Sequence, residues 1–423
     1  MPLSIERIRA CFPALAVTDD GRPRIYLDNP SGTQVPTQTI ERMTRHLIHD
    51  NSNSSMPFAT SIASTRVAHE AHVAMADFVN AASHREIVIG PNMTTLTFAF
   101  SRSIAHLLEP GDEIIVSRMD HDGNVRPWEI MAEERGLVLK RLDFNSDTYQ
   151  FEPDELAALI GPRTRFAAFC YASNVLGTIN DVRSMCTLLR DAGVLTWIDA
   201  VQYAPHGPID VAALGCDFLV CSAYKFFGPH QGVLWAREAL LDRLKPYKLR
   251  AAGNDLPGRF ETGTPSYEGM AGILGTIDYL TWLGDTMAQE QYTSLGHLTG
   301  RRRSLHAAMA AIGAYEQTLG RQLIDGLAAL PGVRIHGISD PQQLHKRAPT
   351  VSITAPGMDP AIVARRLGDM GIFLTHGHNY ALHPIERLGL TNGGVLRIGP
   401  SHYNTTQELT TTLDALAALL NTR

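Results

Sequence analysis

The residue with the most pointed chemistry is Lys225, inside Asp217–Trp235, DFLVCSAYKFFGPHQGVLW. An apolar run, Phe218-Leu219-Val220, leads into Ser222-Ala223-Tyr224-Lys225, and Gly228-Pro229 precedes a second apolar run, Gly232-Val233-Leu234-Trp235. This pattern predicts strand, polar turn, strand. A lysine rarely sits between buried strands unless it is paired or chemically used. Desolvation lowers its pKa, so it can act as a nucleophile or form a Schiff base. The plain alternative is a lysine that closes a strand end with its ammonium in water.

Other polar groups stand just past predicted strands. Asp199 ends LTWID, Asn174 follows FAAFCYAS, His121 follows IIVSRMD, and Thr94 and Thr95 follow IVIGPNM and open a helix. Each alone has an ordinary reading: Asp199 and the threonines as helix caps, Asn174 as a turn former. In a parallel sheet, however, the carboxyl ends of neighbouring strands share one crevice. As a set these groups suit one cofactor, pyridoxal 5′-phosphate. Lys225 supplies the imine nitrogen and Asp199 a carboxylate for the pyridine nitrogen. His121 offers a ring to stack, and Asn174 and Gln202 offer hydrogen bonds to the ring hydroxyl. Thr94 and Thr95 at a helix N-terminus suit a phosphate, with Ser222 adding a further bond.

The elements that must position these groups alternate. Strands are expected at Ile87–Gly90, Glu113–Val116, Leu137–Leu142, Thr164–Tyr171 and Leu195–Asp199, with helices between most of them. That alternation predicts an α/β layer with a mainly parallel sheet. After about residue 285 the pattern changes to a long helical run, Tyr292–Leu330, softened at Gly313 and Gly320, and then a small α+β unit. The expected division is a large cofactor-binding domain at 25–285, with 1–24 and 286–423 forming the small domain. A chain of 423 residues is long enough for two such cores.

A hydrophobic share of 44% and a charged share of 19% fit a water-soluble globular chain. The net charge of −6 gives no electrostatic case for nucleic acid or an anionic membrane. No apolar stretch approaches the ~20 residues of a membrane span. Glu6, Arg7 and Arg9 stand where a signal peptide needs an apolar segment, so a cytoplasmic location is expected. The five cysteines, Cys11, Cys170, Cys186, Cys216 and Cys221, form no C-x-x-C pair. Neither a disulfide framework nor a metal site is expected from them.

The motifs together resemble the class V aminotransferase superfamily of fold type I, and within it the cysteine desulfurase-like group. The resemblance runs through IYLDNPSGTQVP (25–36), GPNMTTLTFAF (90–100), MDHDGNVRPW (119–128), SNVLGTI (173–179), WIDAVQ (197–202), CSAYKFFGP (221–229), RFETGTPSYEG (259–269) and LRIGPSHYNT (396–405). It implies a mainly parallel seven-stranded sheet in the large domain and a smaller α+β C-terminal domain. Carried over, Lys225 is the Schiff-base lysine, Asp199 the pyridinium partner and His121 the stacking ring. Asn174 and Gln202 contact the ring oxygen; Thr94, Thr95, Ser222 and Tyr224 bind phosphate. Gly263 and Thr264 resemble a segment that reaches the phosphate of a neighbouring subunit, which implies a homodimer with shared sites. Arg397 resembles the arginine that holds a substrate carboxylate, a bidentate task suited to guanidinium. Asn29, His378 and Tyr380 are further candidates for substrate contact.

The chain departs from that group at the loop LTHGHNYALHP (374–384). Tyr380 stands where desulfurases place a mobile cysteine, and no cysteine lies in 222–423. Tyr224 replaces a common histidine, and Thr375 replaces a second carboxylate-binding arginine. A phenol cannot carry sulfur as a persulfide. The resemblance without its thiol therefore points to β-elimination, a carbon–sulfur lyase on cysteine or an S-substituted cysteine. An aminotransferase remains open, as does an amino-acid epimerase with Tyr380 as the second acid.

Overall fold

The computed structural model describes residues 3–421. Seven strands form the large sheet: β1 (Ile87–Gly90), β2 (Glu113–Ser117), β3 (Val138–Leu142), β4 (Thr164–Cys170), β5 (Leu195–Asp199), β6 (Phe218–Ser222) and β7 (Gly232–Ala236). Their order is β1-β7-β6-β5-β4-β2-β3. All neighbours run parallel except β7, which is antiparallel to both β1 and β6. The sheet is therefore mainly parallel, as the alternation predicts. β5, β6 and β7 are apolar along most of their length because helices cover both faces.

The two faces bury separate cores. Phe169, Ile198, Leu219 and Val233 face one layer, while Phe166, Trp197, Phe218 and Leu234 face the other. Helix α1 (Met93–Ile104) follows β1 directly, opened by Asn92, whose Oδ1 accepts the Thr95 N–H at 2.8 Å. Its first turn lies against β7. A Cβ at Gly232 would run into the Asn92 backbone, so only glycine lets that helix start sit so close.

Helix α2 (Tyr267–Met287) went unforeseen in the sequence. Buried residues occur on nearly all of its sides, so it lacks the one-sided stripe that marks a surface helix. Glycines at 269, 272, 275 and 284 further blur the pattern, and Gly275 lets the helix approach the Gln38–Thr39 backbone. Helix α3 (Gly300–Ala328) runs unbroken through Gly313 and Gly320. The helix expected at Thr39–Asp50 is an α-helix at Thr37–Arg45 followed by a π-turn at His46–Asp50.

Four strands form a second, antiparallel sheet: β8 (Arg334–His336), β9 (Val351–Thr354), β10 (Thr375–Gly377) and β11 (Val395–Ile398), in the order β8-β9-β11-β10. The cores are shared differently from the expected division. Ile8 and Phe12 pack into the large-sheet core, whereas Ile25 and Leu27 pack with β9, β11 and the second half of α3. The first half of α3, from Leu305 to Ile312, belongs to the large core. We propose domain limits that follow these cores, with the boundary inside α3. Among the described residues no helix is long and apolar enough to cross a membrane.

Candidate active site

Asp199 ends β5, Ser222 ends β6 and His121 follows β2, so the crevice lies at the carboxyl edge of the parallel strands. Lys225 closes a single 3-10 turn, Ala223–Lys225, after β6. Its Nζ donates to the Pro30 carbonyl oxygen, from the turn after Asp28. Burial, and then the Arg397 charge, push the Lys225 ammonium down to about 7, against the pull of Asp199 and Asp28. The lysine is a half-buried amine that titrates near neutrality, not an ammonium standing in water.

Asp199 is 4% exposed. One oxygen accepts the Val201 N–H at 2.9 Å. Burial raises its carboxyl to about 6, although Lys225 works in the other direction. A cationic partner is what such a carboxylate lacks. The Nδ1 of His121 accepts the Gly123 N–H at 3.0 Å. Burial, with the positive charges of Lys225 and Arg397, pushes this ring down to about 4, so it is neutral. A Cβ on Gly123 would lie 3.0 Å from His121 Nδ1 and 3.1 Å from Thr94 Oγ1, which brings the start of α1 beside His121. Thr95 is exposed one residue on, and Ser222 is buried. Tyr224 stacks on His230 with centroids 4.9 Å apart.

Arg397, on β11, is 3% exposed. It donates to Thr375 Oγ1 at 3.1 Å, the Asn174 carbonyl at 3.0 Å and Ser31 Oγ at 2.7 Å. Among the described residues no carboxylate lies within ion-pair distance of it. Desolvation pushes it down to about 10, with Asp28 opposing. Asn174 donates through Nδ2 to the Asn379 carbonyl at 2.9 Å, which leaves Oδ1 buried without a partner. Gln202 is buried and donates to Thr350 Oγ1 at 3.0 Å.

The loop carrying Tyr380 is held at this rim. Asn379 and Tyr380 both take left-handed backbone, φ 52° and 55°. Asparagine adopts that region readily, whereas tyrosine does so at a cost of about 1 kcal/mol or more. Asp122 N–H donates to the Tyr380 carbonyl at 2.7 Å, and the Tyr380 ring lies 5.7 Å from His121. His378 is exposed and its Nδ1 accepts the Tyr380 N–H at 3.0 Å.

Two expectations fare differently, and one residue was missed. Asn29 is buried and engages its amide within the fold. Its amide donates to Tyr26 O at 3.0 Å and Gly399 O at 2.8 Å, and its oxygen accepts the Tyr403 hydroxyl. It ties the N-terminal turn to the segment after β11. Gly263, at φ 85°, and Thr264 are exposed on a loop after Glu261. Asp120 was overlooked. It is 1% exposed and accepts from Ser117 Oγ, from Asn124 Nδ2 at 2.6 Å and from Cys170 N–H at 3.1 Å. Burial raises it to about 7. Its position before His121, in a run read only for its histidine, was the available signal.

The residues present fit pyridoxal 5′-phosphate. A neutralisable lysine, a buried carboxylate without a cation, a neutral ring and an orphaned amide oxygen converge with a helix start. The class-V aminotransferase family profile matches residues 25–302 and 303–411, and the chain belongs to that family. It is a pyridoxal 5′-phosphate-dependent enzyme. A cysteine desulfurase of Serratia proteamaculans is 31% identical over 403 residues, covering 90% of each chain. One from Yersinia pseudotuberculosis is 33% identical over 333 residues, 75% of this chain and 82% of its own. Among solved structures, the apo cysteine desulfurase of Thermococcus onnurineus superposes with TM-score 0.85 at 27% identity, covering 99% of this chain and 98% of its own. The cysteine desulfurase CsdA of Escherichia coli, in an S-sulfonic acid form, gives 0.83 at 26% identity, covering 99% and 100%.

Proposed function

We propose that the enzyme is a carbon–sulfur lyase that eliminates the β-substituent of cysteine or an S-substituted cysteine. The observation that carries this reading is the lack of a thiol at the site mouth. Four of the five cysteines are buried, and burial raises the thiol of the half-buried Cys11. The rim position is held by Tyr380, 68% exposed. A sulfur-accepting route needs a mobile thiolate.

The cofactor, when bound, supplies an electron sink for negative charge at the substrate Cα. Lys225 would hold the cofactor through Nζ and, once the substrate's amine has taken its place and freed that nitrogen, would take the Cα proton there, a task suited to an amine that titrates near 7. Asp199 would hold a proton at the pyridine nitrogen, His121 would supply a ring to stack, and Asn174 and Gln202 would hold the ring oxygen. The first turn of α1 with Thr94, Thr95, Ser222 and Tyr224 would receive the phosphate. Arg397 holds the substrate carboxylate, and His378 and Tyr380 border the side-chain exit. The thiolate leaves with the electron pair of the C–S bond and takes a proton; with one water consumed, the products are a thiol, pyruvate and ammonia.

The enzyme acts as a cytoplasmic homodimer. Its unpaired cysteines suit a reducing compartment. Ile40, Leu47, Ile48, Met56, Phe58 and Ile62 are exposed apolar residues that would suit contact with a second copy. Gly263 and Thr264 then serve the neighbour's phosphate. The test is incubation with S-methylcysteine, with assays for pyruvate and methanethiol. Product formed in equal amounts without any keto acid supports elimination. Pyruvate-free turnover that needs a keto-acid acceptor means transamination, and deuterium exchange at Cα with intact amino acid means epimerisation. Sulfide released from cysteine only through a protein-bound persulfide would restore the desulfurase reading.

A further inference from the structure

Behind Gln202 lies a polar cluster that the elimination chemistry does not use. Gln202 and His206 are four residues apart in the turn after Asp199, and both are buried. His206 Nδ1 lies 2.7 Å from Glu316 Oε2. The partner carboxylate comes from the middle of α3 and is 1% exposed. His206 Nε2 faces Gln202 Nε2 at 3.4 Å. The approach is built into the backbone, because a Cβ at Gly313, one turn before Glu316, would lie 2.6 Å from the His206 carbonyl.

We propose that His206 and Glu316 are positioning residues that fix which end of the Gln202 amide faces the cofactor. Burial raises the Glu316 carboxyl, while His206, the His402 backbone and Ser401 pull it back toward the ionised form; as a carboxylate it only accepts, and the Nδ1 of His206 then carries the proton between them. That leaves Nε2 as the nitrogen presented to Gln202. With Nε2 bare, it accepts an amide N–H from Gln202. The second N–H goes to Thr350 Oγ1 at 3.0 Å. Both amide hydrogens are then engaged, and Gln202 offers its oxygen to the crevice. Asn174 is held in the same sense, since its Nδ2 is committed to the Asn379 carbonyl and only Oδ1 is free. Both amides then turn an oxygen toward the crevice, and the single proton of a ring hydroxyl is accepted by one of them. Neither Thr350 nor solvent could impose this, because a hydroxyl donates or accepts equally well.

The pair is a costly way to fill space. A buried carboxylate needs its partner, and an apolar pair of the same volume would serve stability as well or better. The surrounding groups do not relieve His206 of the task. Ser401 Oγ donates to the other Glu316 oxygen at 3.4 Å. His402, beyond it, is driven down to about 3 by burial and stays neutral, with its Nε2 turned to the Tyr279 hydroxyl.

This inference rests on the reading that Gln202 meets the cofactor's ring oxygen. His206→Asn separates the two halves of the device. The Asn amide can still reach Glu316 from the Nδ1 position, but nothing remains at the Nε2 position. The holoenzyme's visible band is titrated with pH, and cofactor retention is measured by equilibrium dialysis. The expected results are a displaced titration midpoint and retention weaker by about fivefold, the equivalent of one hydrogen bond. Glu316→Gln, which frees the tautomer, should do the same, and both effects should vanish in a Gln202→Ala background. An unchanged midpoint in His206→Asn and Glu316→Gln, or shifts of full size without Gln202, would overturn the proposal. Should His206→Asn fail to fold, Glu316→Gln decides by the same measurements. Failure of the unaltered chain to show any visible band with added cofactor is a different result and strikes the Gln202 reading itself.

Discussion

Arg397→Met tests the substrate anchor against a structural role. A guanidinium pushed from its usual 12.5 down to about 10 carries about 3 kcal/mol of desolvation that its neighbours do not offset. Methionine removes that charge and keeps the stem's packing. Ser31 and Thr375 can rotate their hydroxyls elsewhere; the Asn174 carbonyl loses its donor, at about 1 kcal/mol. The bare protein should therefore melt no lower than the unaltered chain. Binding behaves oppositely. Two charge-assisted bonds to a carboxylate, at about 1.5–3 kcal/mol each, predict roughly 100- to 20,000-fold weaker binding of an amino acid. Thermal melts without substrate and spectral titration with S-methylcysteine measure the two effects. An amine of the same shape without a carboxylate should bind both proteins alike. Binding of S-methylcysteine within about threefold of the unaltered enzyme, well inside one charged bond, would refute the anchor. A large drop in melting temperature would show that Arg397 is a strut.

Other expectations follow from the same site. Lys225→Ala should abolish the visible cofactor band and all turnover. In the unaltered chain, reloading with cofactor needs the free amine, so its rate should climb as pH rises through about 7 and then level; a climb near the ordinary lysine range would contradict the burial argument. Asp199→Asn should keep the cofactor but lower kcat by at least ~100-fold, measured by steady-state kinetics. Tyr380→Gly removes a Cβ from backbone at φ 55° and should stabilise the fold by about 1 kcal/mol in urea titration. His402 stays neutral in the fold down to about 3 but titrates at 6.5 when unfolded. The unfolded chain thus binds more protons between those limits, and stability drops as pH falls below 6.5. In His402→Gln that drop should be shallower by about 1.4 kcal/mol per pH unit, read from urea titrations at several pH values.

What could be read beforehand divides along a physical line. Strand ends carry their signal locally: an apolar run, then a polar residue, as at Asp199 and Lys225. The parallel alternation then gathers such residues at one edge without knowledge of any contact. Helix α2 failed this test because a helix buried on most sides has no polar face, and its glycines serve close approach to Gln38 and Ser304 that no local pattern announces. Asn29 was legible only in part, for the opposite reason. Its type and place suit a ligand, yet its partners Gly399 and Tyr403 lie some 370 residues away in sequence.

Asp120 and the His206–Glu316 pair show where the rest of the information resides. None of the three touches the crevice as the strand-end groups do, and each derives its meaning from a residue on another element. Glu316 sits on an ordinary-looking helix, and only the packing of Gly313 against the His206 turn makes it the group that sets an imidazole proton. The residues that react are thus marked by what precedes them in the chain, and the residues that orient them by what folds against them. On the proposed reading, a scaffold shared with cysteine desulfurases keeps the first set whole while the rim carries a phenol in place of a thiol. The chemistry then turns on whether a leaving sulfur meets a nucleophile or departs into water.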